Sequence, residues 1–207
     1  MRSPFVKLPY HYARLGVGSR VLEAGCGSGK FSVCFALLGC DVTALDYSPA
    51  VLRSAASLVE AVGREQGPLR VTLVQGDLEH LTLEPAQFDL VINEGVVEHW
   101  LDEGARRHVI AEMARMARPG GTVAVIVPNG GHPRMRYWQQ HAPSYTEAPP
   151  MIRYTPAILR ADLASADLRD IALDGIYAWR TLDHWPIGRA RRLAAGALQR
   201  LIPLPRR

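Results

Sequence analysis

The alternation of apolar runs along this sequence predicts an α/β fold, a doubly wound and mostly parallel sheet. Three observations carry the prediction. Short, β-branched apolar runs at residues 21–24, 41–45, 70–75, 88–92 and 122–127 alternate with stretches of helical spacing. A glycine-rich turn, Gly25-Cys26-Gly27-Ser28-Gly29, joins the first run to a helix. Polar residues, Asp46, Asp77 and Asn93, stand where the next three strands end. Ligands of such sheets sit beyond the carboxyl ends of the strands. Together these features predict a Rossmann-like three-layer α/β/α domain; the pattern of residues 187–201 adds a C-terminal amphipathic helix.

Each element has a local reason. Val21, Leu22 and Ala24 suit a buried parallel strand. Glycine allows unusual backbone angles and close approach of a ligand, and the following helix turns its free N–H groups into the loop. A carboxylate, a phosphate or a nucleotide sugar would fit there. Residues 31–38 form a small-residue helix ended by Gly39. Ser48 and Pro49 open the next helix, which runs to Gly63. Asp102 caps another, in which Val109, Met113, Met116 and Ala117 form a core stripe. Arg118-Pro119-Gly120-Gly121 is a sharp stop before strand five. Thr155 and Pro156 start a further helix, and residues 168–176 are strand six.

With 207 residues, 48% hydrophobic and 21% charged, one domain is expected. Three parts are distinguished: an N-terminal cap segment at 1–19, the main domain at 20–178, and a basic tail at 179–207. In the cap, Phe5, Tyr10 and Tyr12 are expected to pack on the sheet. No apolar run approaches a membrane span, and the N-terminal residues lack the apolar core of a signal peptide, so a cytoplasmic location is expected. Cys26, Cys34 and Cys40 form no CxxC pair and are expected to be free thiols. The net charge of +4 is uneven: residues 180–207 carry +6, which leaves −2 for the rest. The body is therefore not a nucleic-acid-binding surface.

A dinucleotide fingerprint counted from Gly25 would require glycine at position 30, where this chain has Lys30. The observed Glu23-x-Gly25-x-Gly27-x-Gly29 resembles motif I of the class I S-adenosylmethionine-dependent methyltransferases. QGDLEHL resembles the adenine-contacting segment of that family, FDLVINEGVVEHW its motif IV, and RPGGTVAVIVPN its later helix-to-strand motif. The resemblance covers about three quarters of the chain. It implies S-adenosylmethionine as cofactor. Gly25, Gly27 and Gly29 would form its cradle, with Glu23 orienting the loop. Asp46, followed by Tyr47, would hold the ribose, Asp77 and Leu78 the adenine, and Asn93 the methionine amino group through its carbonyl.

The catalysis implied is alignment of a nucleophile and exclusion of water. For an oxygen or nitrogen nucleophile a base helps, and His99 is the candidate, with Glu98 orienting it. A structural histidine is the competing reading. The metal-dependent pattern Glu-x-x-Glu-His is broken at Gly95, so no metal is expected. Residues 128–156 form an insertion read as a lid, with Arg134, Arg136, Tyr137, Trp138, His141 and Tyr145 in its centre. Residues 187–201 fit a basic amphipathic helix. Two readings stand for residues 186–207: peripheral contact with an anionic membrane at its inner face, or docking on the domain or on a second subunit as a homodimer. The acceptor expected is a small or lipid-like molecule, methylated at oxygen. The alternative is a non-catalytic cofactor-binding module recruited by the tail.

Overall fold

The computed structural model describes residues 4–132 and 149–175. The centre of the 128–156 insertion, the run 177–179, the amphipathic helix and the basic tail lie outside the described residues. The chain divides into two units between Ile171 and Ala172. In the second, residues 172–175 form neither helix nor strand.

The first unit holds one five-stranded sheet in the order β3-β2-β1-β4-β5. Its strands are β1 (Arg20–Ala24), β2 (Asp41–Asp46), β3 (Val71–Gln75), β4 (Phe88–Glu94) and β5 (Ala117–Ile126). Every pairing is parallel. The chain winds outward from β1 to β3, then returns to β4 on the other side of β1. That reversal opens a crevice at the carboxyl ends of β1 and β4.

Helices α1 (Pro4–Tyr12), α2 (Lys30–Leu37), α3 (Pro49–Gln66), α4 (Glu103–Met116) and α5 (Pro156–Ala164) surround the sheet. Val6 and Phe35 pack with Val21, Val42, Leu90 and Ile92 in one core cluster. By the two-residue strand period, Leu22, Leu45 and Val91 point to the opposite face, and all three are buried. Helix α4 packs on β4 and β5 through its predicted stripe, with Val109, Met113 and Met116 fully buried.

The expected caps form: the Ser48 side chain accepts from Val51 N, that of Asp102 from Ala105 N, and that of Thr155 from Ile158 N. Several boundaries differ from expectation. The cap segment contains a helix; its Phe5 ring meets Phe31 at 5.9 Å, while Tyr12 is 51% exposed. Helix α3 passes through Gly63, around which a side chain would meet open space, and ends at Gly67 with φ +92.

Arg118–Gly121 do not stop the chain before strand five. They form a bulge within β5, between the pairs Phe88↔Ala117 and Leu90↔Thr122. The Asp89 carboxylate closes the bulge by accepting from Arg118 Nε at 2.7 Å and Arg20 N at 2.7 Å. Residues 168–175 are not a strand: Asp170, at φ 53, turns the backbone out of the extended region within the run.

Candidate functional site at the carboxyl ends of the strands

Gly25, Gly27 and Gly29 all have positive φ, at 81°, 50° and 75°, where side chains are strained. Their missing side chains serve different ends. A Cβ on Gly25 would lie 2.7 Å from Val96 Cγ2, so this glycine lets the loop after β4 close onto the turn. A Cβ on Gly29 would meet Ala55 Cβ at 3.1 Å, so this one lets α3 approach. Around Gly27 there is open space, which leaves its backbone accessible to a ligand. The loop is anchored by Gly25 N and Cys26 N, which both donate to Leu45 O at 2.8 Å.

The N-terminus of α2 has no side-chain cap from Gly29. Glu23 fills that role from β1, accepting from Ser32 N at 2.7 Å and from the Ser32 hydroxyl. A helix N-terminus already capped by a carboxyl group has fewer free N–H groups to offer a pyrophosphate. Burial pushes the Glu23 carboxyl up to about 7, against the pull of its Ser32 bonds. The folded protein therefore holds this proton more tightly than the unfolded chain. The stability this contributes is full below pH 4.5 and is lost as the pH rises through 7. At 1.36 kcal/mol per pH unit it amounts to about 3 kcal/mol. Urea midpoints at pH 5 and pH 8 are expected to differ more in wild type than in Glu23→Gln.

Asp46 ends β2 and is 8% exposed. Its carboxylate accepts from Gly27 N and from Ser48 N, each at 3.0 Å. A carboxylate has about four lone-pair sites, so room remains for a diol. Tyr47 beside it is 77% exposed. The segment after β3 is tied to Asp46 by Gly76 N donating to its main-chain carbonyl at 3.1 Å. Asp77 is exposed and closes its own turn on Glu79 N at 2.9 Å, whereas Leu78 is buried.

Asn93 is fully buried. Its Nδ2 donates to Ala24 O at 2.5 Å and its Oδ1 accepts from Val97 N at 3.3 Å. The side chain thus clamps the end of β1 to the turn after β4, and its amide oxygen gives one of its two lone pairs to that backbone N–H.

That turn is a single 3-10 turn, Val97–His99. Glu98 is 2% exposed, and among the described residues its Oε2 has no hydrogen-bond partner. Burial pushes its carboxyl up, as it does that of Glu94. Glu98 does not hold the histidine ring, as the sequence suggested. Instead His99 Nδ1 lies 3.1 Å from the Pro150 carbonyl. A carbonyl only accepts, so Nδ1 carries a proton in this bond, and in the neutral ring Nε2 is then the nitrogen with the lone pair. The Trp100 indole donates to Glu79, joining this turn to the segment after β3.

Cys26 and Cys40 are buried free thiols pushed up to about 12 and about 11 by desolvation, so neither is a nucleophile. Among the described residues, no three His, Cys, Asp or Glu side chains are grouped to hold a metal ion. None of the described helices is long and apolar enough to cross a membrane.

The family profile described as "Methyltransferase domain" matches residues 22–125, half of the chain, from β1 through β5. The chain belongs to this methyltransferase family, in its class I, S-adenosylmethionine-dependent form. The malonyl-[acyl-carrier protein] O-methyltransferase of Enterobacter lignolyticus is 41% identical over 106 residues, covering 51% of this chain and 38% of that protein. The ubiquinone biosynthesis O-methyltransferase of Xanthomonas campestris pv. campestris is 38% identical over 126 residues, covering 60% and 49%. The aligned region spans less than half the length of either curated relative. The crystal structure of a SAM-dependent methyltransferase from Methanosarcina mazei shares the fold, with a TM-score of 0.61 at 20% identity, covering 76% of this chain and 83% of that one.

The methyltransferase cofactor is S-adenosylmethionine, and the residues present fit it. It carries no phosphate, which agrees with the carboxyl group at the α2 N-terminus. It carries a ribose diol, which suits the spare lone pairs of Asp46.

Pro150, Ile152, Tyr154, Asp162 and Arg106 surround the His99 turn and were not singled out by the sequence. One signal was there: Arg106 shares helical spacing with Val109, Ile110 and Met113, so it belongs to the buried stripe and requires an acidic partner.

Proposed function

We propose that this chain transfers a methyl group from S-adenosylmethionine to an oxygen atom of a small or lipid-like acceptor, with His99 as general base. The cofactor supplies an electrophilic sulfonium methyl. Asp46 holds the ribose, and Asp77 and Leu78 face the adenine. The open backbone at Gly27 receives the methionine end. The acceptor hydroxyl gives its proton to His99 Nε2 as its oxygen takes the methyl group in line.

The observation that carries this reading is the bond from His99 Nδ1 to Pro150 O. In the neutral ring it favours the tautomer in which Nε2 is the acceptor, and the turn that carries His99 follows β4, which supports the base role. The two curated relatives named above are both O-methyltransferases, which supports oxygen as the target.

The test is release of S-adenosylhomocysteine with phenolic compounds, prenylated compounds and malonyl-[acyl-carrier protein]. Turnover of a hydroxyl acceptor is expected. It should fall by about 10²- to 10⁴-fold in His99→Ala, with cofactor affinity unchanged. A carboxylate acceptor is already deprotonated and needs no base, so His99→Ala should keep full turnover there, whereas full turnover of a hydroxyl acceptor by His99→Ala would overturn the base role. Cofactor binding without turnover of any acceptor would overturn the catalytic reading.

A further inference from the structure

The turn that carries Glu98 and His99 is too short to set its own orientation. Its internal support is two backbone bonds, His99 N to Val96 O at 3.0 Å and Trp100 N to Val97 O at 3.3 Å. Yet it is held on both sides by other parts of the chain, one of them distant in sequence. On one side is residues 150–154: Pro150 O faces His99 Nδ1, and Ile152 N donates to Glu98 O at 2.8 Å. On the other is α4, where Arg106 Nη1 donates to Trp100 O at 3.2 Å.

These two sides are joined through α5. The Tyr154 hydroxyl donates to Asp162 Oδ2 at 3.0 Å, and Arg106 Nε donates to the same oxygen at 2.6 Å. Arg107 Nε reaches Asp162 Oδ1 at 3.2 Å, so both carboxylate oxygens are used. The path from His99 through Pro150, Tyr154, Asp162 and Arg106 to Trp100 is closed. Tyr154 and Asp162 are each 1% exposed.

We propose that Tyr154, Asp162 and Arg106 are positioning residues, and that this closed circuit sets the orientation of the His99 imidazole. The effect on turnover rests on the base role of His99; the orientation itself does not. A buried ion pair is a poor device for stability, because well-packed apolar residues do as well or better. What it provides is fixed geometry, and here that geometry reaches the carbonyl that chooses the histidine tautomer. The strand of the circuit from 150 to 154 is held from behind as well. Gly130 N donates to Tyr154 O at 2.8 Å, and a Cβ on Gly130 would lie 2.6 Å from Arg153 Cβ. The segment has no room to drift on that side.

Nitrogen-15 spectra of the full chain with labelled histidine, assigned through His99→Gln, test the proposal without an acceptor. Wild type is expected to show His99 as the Nδ1–H tautomer. Tyr154→Phe removes one hydroxyl and keeps the ring that packs 5.7 Å from the Arg106 guanidinium, so it preserves the fold. It is expected to raise the Nε2–H tautomer until it is at least as populated as the other, with S-adenosylmethionine affinity unchanged. Asp162→Asn should do the same where it folds. An Nδ1–H tautomer as pure in Tyr154→Phe as in wild type would overturn the circuit. A shifted tautomer together with full turnover by His99→Ala would support the circuit and remove only the base assignment.

Discussion

Asp46→Ala is expected to weaken S-adenosylmethionine binding by about 10²- to 10⁴-fold. Two ribose hydroxyls donating to an ionised carboxylate contribute about 1.5–3 kcal/mol each. Their sum converts to that range at 1.4 kcal/mol per tenfold. A second effect adds to it. The same carboxylate holds Gly27 N, at the open part of the glycine turn, and Ser48 N ahead of α3. Asp46→Asn keeps one acceptor oxygen for these amides but loses the charge, so it should fall between the two. Calorimetric titration with S-adenosylmethionine, S-adenosylhomocysteine and NADH reads the result. Equal affinity in wild type and Asp46→Ala would remove Asp46 from the site, and tight NADH binding would replace the cofactor assignment.

What the sequence made legible is what depends on neighbours along the chain. The glycine turn, the Asp at the end of β2 and the caps at Ser48, Asp102 and Thr155 are each set by a few consecutive residues. Their placement at strand ends follows once the sheet is parallel. The helix through Gly63 was not legible because a glycine in a helix lowers propensity by about 1 kcal/mol, which the packing of an 18-residue helix overrides. The Arg118–Gly121 bulge has the composition of a turn. Only the Asp89 carboxylate, which Arg20 and Arg118 both reach, shows why the chain can stay in the sheet.

The support of His99 was hidden for a different reason. Its bond partner is 51 residues away, and that partner is a main-chain carbonyl, which no residue type announces. Glu98 was read as the orienting group because it is adjacent in sequence. Adjacent residues on a tight turn point apart, so the neighbour in space came from the segment after β5. The three glycines carry a related lesson. They look equivalent as a motif, yet Val96 and Ala55 fill the space beside two of them, and only Gly27 is left open.

Arg106→Ala is expected to destabilise the described domain by about 3–5 kcal/mol. The Arg106 and Asp162 side chains are 6% and 1% exposed and meet at 2.6 Å. Removing the arginine leaves a buried carboxylate held by Arg107 at 3.2 Å and by one tyrosine hydroxyl. It also releases the Trp100 carbonyl, so the loss reaches the His99 turn. For a chain of this size the fall in melting temperature should be about 6–20 °C. The exposed pair Arg64–Glu60, with side chains 67% and 70% exposed, is the control. Arg64→Ala should cost less than about 1 kcal/mol. The decisive comparison is Arg106→Met combined with Asp162→Leu. If the cost of Arg106→Ala is a buried carboxylate left with only Arg107 and Tyr154, the double variant should recover much of the stability in urea denaturation. It should still fail to restore the His99 tautomer, because packing returns but the link to Trp100 and Tyr154 does not. Recovery of both would mean that the shape of the α4–α5 contact suffices; recovery of stability alone separates the energetic role of the ion pair from its geometric one.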